Sequence, residues 1–121
     1  ERMACWRKLE KMYLPHKDYS EIPFLEQGGW WMRQLHVFMD PFYYIDYTLA
    51  QVCALQFWSR FEKKDSQAFS DYQKICSIGG KYPFRQVVEL AGLKVPFQAG
   101  CLVEVMKEVE TWLAQFDQNT L

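Results

Sequence analysis

Histidine is scarce in this sequence: His16 and His36 are the only two among 121 residues. Four cysteines stand far apart at positions 5, 53, 76 and 101, with no C-x-x-C pair and no histidine at zinc-finger spacing. That excludes a zinc ribbon or a dithiol redox motif and leaves buried free thiols as the reading. Surplus charge of either sign is missing too. The net charge is −1, and the lysines and arginines are interleaved with acidic neighbours, so no basic stripe is available to track a nucleic-acid backbone. No apolar run approaches the roughly 20 residues needed to cross a membrane, and Glu1-Arg2-Met3 does not open a charged-then-apolar leader. A reduced, cytoplasmic setting is therefore expected. Strand-like alternation is absent over any useful length, as are repeats, low-complexity tracts and linkers. The expectation is one all-α segment over residues 1–121, a bundle of about five or six helices.

What is abundant is aromatic surface, at 17% of residues within a hydrophobic fraction of 50%. Met3, Trp6, Leu9, Met12 and Tyr13 recur at three-to-four spacing and predict a helix over 2–14 that Pro15 ends. That helix has no evident cap at its start, as if it continued from something longer. Residues 24–35 resume an apolar pattern through Phe24, Leu25, Trp30, Trp31 and Leu35, with Gly28-Gly29 weakening any helix there. A long helix is expected from Pro41 to about Lys64, with Ile45, Leu49, Val52, Cys53, Gln56, Phe57 and Phe61 as its apolar stripe. Ser66 is the expected cap of the next helix, which carries Phe69, Tyr72, Ile75 and Cys76 inward and stops at Gly79-Gly80. A short helix through Val87, Val88 and Leu90 closes at Gly92. A last helix over 101–117 carries Leu102, Val105, Met106, Val109, Trp112, Leu113 and Phe116.

Groups able to donate or take a proton concentrate in one stretch, Gln34 to Tyr47, which holds His36, Tyr43, Tyr44 and Tyr47. Asp40-Pro41 inside it reads as a helix start, with the carboxylate as cap and proline at the first helical position. On that reading Tyr44 and Tyr47, three apart, share a helix face, as do Tyr43 and Tyr47, four apart. A lone histidine beside a helix is more often a structural hydrogen-bonder, and tyrosines in an aromatic-rich chain are usually core. His16, in a polar turn after Pro15, reads as solvated. Asp46 reads as an ion-pair partner.

The order Trp30-Trp31-x-Arg33-Gln34-x-His36-x-Phe38-x-x-Pro41-Phe42-Tyr43-Tyr44-Ile45-Asp46-Tyr47, then Gly79-Gly80, Pro83-Phe84, Ala91-Gly92-Leu93 and Pro96-Phe97, resembles the C-terminal part of oligoendopeptidase F-like zinc metallopeptidases, relatives of thimet oligopeptidase. The resemblance covers nearly the whole chain. It implies a zinc-dependent endopeptidase acting on short peptides, with zinc held by an H-E-x-x-H helix that this sequence lacks. The metal ligands and the general base would then belong to an N-terminal remainder of the same protein, and the chain alone would be inactive. His36, Tyr44 and Tyr47 are implied as catalytic donors to the oxyanion and substrate backbone, and Tyr43 as a substrate contact, with either Tyr43 or Tyr44 facing the site. The rival class is a non-catalytic helical interaction module. Both readings expect an exposed apolar face and self-association of the chain.

Overall fold

The computed structural model describes residues 1–116, and among them every regular element is helical. Seven α-helices and two 3-10 turns follow one another, in two compact units that divide between Tyr44 and Ile45.

The first unit opens with α1 (Arg2–Tyr13), which ends as its C-cap Leu14 leaves helical geometry just before Pro15. Then come α2 (Pro23–Glu26), a 3-10 turn over Gly29–Arg33 and α3 (His36–Met39). α1 does not bury its apolar stripe. Leu9, Met12 and Tyr13 are exposed, and the buried positions are Arg7 and Glu10. Polar partners explain this inversion. Arg7 Nη2 donates to Glu26 Oε2 at 2.5 Å, its guanidinium lies 5.0 Å from the Tyr19 ring, and the Tyr19 hydroxyl donates to Glu10 at 3.0 Å. Charged groups this deep persist only when paired, so Tyr19 in the connection and Glu26 at the end of α2 fix which side of α1 faces inward. Gly28 and Gly29 serve close approach rather than a simple helix break. Gly28 sits at φ +94° with the Met3 carbonyl where a Cβ would go, and the Phe24 ring occupies the same space at Gly29.

The second unit holds α4 (Ile45–Glu62), α5 (Ala68–Ile78), a 3-10 turn over Gly79–Lys81, α6 (Phe84–Leu90) and α7 (Cys101–Gln115). Its core is Phe57, Val88, Ala91, Leu93 and Val95, with Cys53 and Ile75 packed against it. The expected stripe of α4 is thus inward at its centre only, and Ile45 and Phe61 at its two ends are exposed. α7 buries Cys101 and Val105 and leaves Leu102 and Leu113 more than half exposed, while Met106, Trp112 and the C-cap Phe116 are covered over more than half their surface; residue 117 of its expected span lies outside the described residues. Of the four thiols expected to be buried, only Cys101 is. Cys53 is half-buried, while Cys5 and Cys76 are exposed. Cys76 follows Ile75 by one residue, about 100° around α5 from the side that packs on the core.

The N-cap position of α5 is Gln67, which makes no side-chain capping bond, so Ser66 is not the cap and Asp65 closes the turn before the helix. Asp65 Oδ1 accepts from the Gln67 amide at 2.9 Å, and its carbonyl accepts from Ala68 N–H. The other Asp65 carboxylate oxygen is held by Arg60 Nε at 2.7 Å, while Arg60 Nη2 reaches Asp71 at 2.6 Å and Nη1 the Ala91 carbonyl at 3.0 Å. One guanidinium therefore joins α4, the turn before α5, α5 itself and the end of α6. The Arg60 hydrogen bond is the main cause holding the Asp65 carboxyl below its ordinary value. A depressed folded-state pKa contributes stability that is present above the ordinary carboxylate range and is lost as pH falls through the depressed value. Urea midpoints of the chain are accordingly expected to fall as pH is lowered below that range, and Asp65→Asn to flatten the fall. An Asp65→Asn profile that parallels the parent would remove Asp65 as its source.

Candidate functional site

α3 is a single turn, and its orientation follows from one apolar anchor. Phe38 stacks on Trp31 at 5.3 Å between ring centroids, and Val37 and Phe38 help line an apolar hollow of about 490 Å³ with Cys5, Trp6, Leu9 and Trp31. At about 100° per residue, His36 projects roughly opposite to Phe38, away from that hollow. It is half-buried.

The chain then turns sharply. Asp40 has φ −132° and ψ 73° and is the C-cap of α3, its amide donating to the His36 carbonyl at 3.1 Å. It is therefore not the N-cap of a helix beginning at Pro41. The cause is steric: a residue before proline is pushed out of the α region, so Asp40 closes α3 and cannot lead directly into another helix. The Tyr43 amide donates to the Asp40 carbonyl at 3.1 Å, closing a four-residue turn with Pro41 at its second position and Phe42 at its third. Phe42 has φ +69°, the left-handed value that a type II turn demands at this place and that glycine ordinarily supplies. α4 starts only at Ile45.

This corrects the expected geometry of the phenols. Tyr43 and Tyr44 lie in the turn before α4, so helical spacing does not relate them to Tyr47. The turn instead folds both tyrosines back onto the imidazole. The His36 ring lies 5.7 Å from Tyr43, stacked at 28°, and 5.1 Å from Tyr44, tilted at 43°. Tyr47 belongs to the second unit, in the first turn of α4, with 55% of its surface exposed. Asp46 beside it makes no ion pair among the described residues; its carboxylate sits in the first turn, where the helix dipole favours negative charge. His16 is exposed, as its polar turn implies.

A metal ion does not fit these residues. Among the described residues no three His, Cys, Asp or Glu side chains come together, and the Tyr43 and Tyr44 rings stand against His36. What His36, Tyr43, Tyr44 and Tyr47 can supply is hydrogen-bond donation without added charge. Just after α5, Gly79 takes φ +56°, and open space surrounds the Cβ positions of both Gly79 and Gly80.

Neither a protein-family model nor a curated protein sequence matches the chain. Solved structures do. A structure assigned as oligoendopeptidase F matches 98% of the chain at 47% identity with a TM-score of 0.88. The chain belongs to the oligoendopeptidase F family. PZ peptidase A, solved with an inhibitor, matches 95% of it at 45% identity and a TM-score of 0.86. A protein from Bacillus anthracis str. Ames, also assigned as oligoendopeptidase F, matches 96% at 36% identity and 0.64. The chain spans 21%, 20% and 21% of those three structures, and it corresponds to the C-terminal part of the oligoendopeptidase F fold. Membership accounts for the all-α architecture and for the order of motifs from Trp30 to Phe97. Among the described residues no helix is long and apolar enough to cross a membrane.

Sequence reasoning singled out His36, Tyr43, Tyr44 and Tyr47 but passed over Phe42. A dipeptide signal was present, since proline at the second turn position is common in type II turns. Phenylalanine at the third masks it, because that place normally reads as glycine or asparagine.

Proposed function

We propose that this chain is the C-terminal part of a zinc-dependent oligoendopeptidase that hydrolyses short peptides in a reduced cytoplasm. The observation that supports this most is the 47% identity to an oligoendopeptidase F structure across 98% of the chain, including the block from Trp30 to Tyr47. The metal ligands and general base belong to the rest of the protein, and this chain contributes donors. As a peptide carbonyl becomes tetrahedral, negative charge grows on its oxygen, and neutral donors held at that oxygen stabilise the transition state more than the bound peptide. Tyr47 and Tyr44 donate through their hydroxyls, His36 through a ring N–H, and Tyr43 contacts the peptide. The His36 ring lies against both Tyr43 and Tyr44, so the three are oriented together before substrate arrives. The exposed apolar side chains of α1 and α7, among them Met12 and Leu113, pack against the remainder of the same protein. Separated from it, the chain self-associates through them.

The test compares the whole protein with residues 1–121 alone, using an internally quenched short peptide. The whole protein is expected to cleave it, to stop when divalent metal is chelated and to recover when zinc is restored; the isolated chain is expected to give no turnover. Chelation-resistant cleavage would contradict the metal dependence. Absence of cleavage by the whole protein would favour a helical interaction module. Light scattering on the isolated chain reads self-association, and a strict monomer at high concentration would count against it. Within the active protein, Tyr43→Phe and Tyr44→Phe identify the tyrosine that donates, because only the donor's loss lowers kcat.

A further inference from the structure

Phe42 combines two features that a folded chain rarely tolerates in one residue. Its φ of +69° is left-handed, a conformation costly for a bulky L-residue and free of strain for glycine. Its ring is 94% exposed, more than any other exposed large hydrophobic side chain of the described residues, so packing in its own unit does not compensate for the strain. The turn itself does not need the ring, since glycine at this place would give the same Tyr43 N–H to Asp40 carbonyl bond without strain. What phenylalanine adds is therefore an apolar surface, held out at the tip of the turn that folds Tyr43 and Tyr44 onto His36.

We propose that Phe42 is a specificity-determining residue whose ring contacts an apolar side chain of the bound peptide. The proposal rests on the peptidase reading and deepens it by naming a preferred substrate class: peptides carrying a large apolar residue close to the scissile bond. The rigid turn presents the ring at little further conformational cost on binding, because proline and the closing hydrogen bond already fix its backbone. A ring that meets such a side chain removes apolar surface from water on both partners, and discrimination by apolar contacts of this kind is typically tenfold or more.

The experiment uses the whole protein and paired peptides that differ only by phenylalanine or alanine, the substitution being walked through the positions flanking the cleaved bond. The readout is the ratio of kcat/KM for the phenylalanine peptide to that for the alanine peptide. In Phe42→Gly, which keeps the turn and relieves its strain, that ratio is expected to fall about tenfold at one position; in Phe42→Leu it should stay within about threefold of the parent. A ratio unchanged in Phe42→Gly at every position overturns the proposal, even if both rates fall together, since a structural role for the ring would slow both peptides alike. Loss of all turnover in Phe42→Gly also overturns it and assigns the ring to the assembly of the protein. If the parent cleaves none of the peptides, the peptidase reading itself fails and this inference falls with it.

Discussion

Tyr47→Phe in the whole protein is expected to lower turnover about a hundredfold while leaving the fold intact, the loss typical when one oxyanion donor is removed. The substitution deletes one oxygen and keeps the ring, so the first turn of α4 retains its packing. The effect should fall on kcat, with KM near the parent value, because the hydroxyl acts on charge that the transition state carries and the bound peptide does not. Circular dichroism and a thermal melt matching the parent would separate lost chemistry from lost structure. Turnover within twofold of the parent rules Tyr47 out as a donor. A raised KM with unchanged kcat makes it a ground-state substrate contact instead.

How far the sequence discloses this site depends on which residues carry the geometry. The members of the cluster are legible, because His36, Tyr43 and Tyr44 lie within nine residues of one another and a short connection brings them together whatever its conformation. Their arrangement is not legible. Asp-Pro is compatible with a helix start and with a turn, and the choice falls to Phe42, a residue whose type gives no hint of a positive φ. Helix stops are clearer, since Pro15, Gly79 and Gly92 act through local backbone sterics that need no tertiary context. Inward faces are less so. The three-to-four spacing in α1 is real, but Arg7 and Glu10 are inside because Tyr19 and Glu26, distant in sequence, bring the polar partners. The same holds before α5, where Arg60 holds Asp65 in the turn and Ser66 does not serve as the cap. Periodicity reports that a helix has an apolar side; it does not report which element covers that side.

Phe57→Ala is expected to be the most damaging single substitution in the second unit. Phe57 is 6% exposed, lies in the core with Val88, Leu93 and Val95, and meets the Tyr72 ring edge-on at 5.7 Å. Truncating a buried phenylalanine costs about 3–5 kcal/mol, the transfer loss plus the cavity left behind. A unit of this size has roughly 4–11 kcal/mol of stability in all, so the substitution removes a large part of it. Four residues along the same face of α4, Phe61 is 44% exposed, and its ring lies 6.5 Å from that of Phe57. Its truncation forfeits that ring contact and only partial burial, so Phe61→Ala should cost less although both residues lie on the same predicted stripe. Urea unfolding of the chain separates the two, with a large midpoint shift and an unchanged slope for Phe57→Ala and a smaller shift for Phe61→Ala. Equal shifts would mean that α4 is covered along its whole apolar face, and that the exposed end at Phe61 is closed by association with another surface.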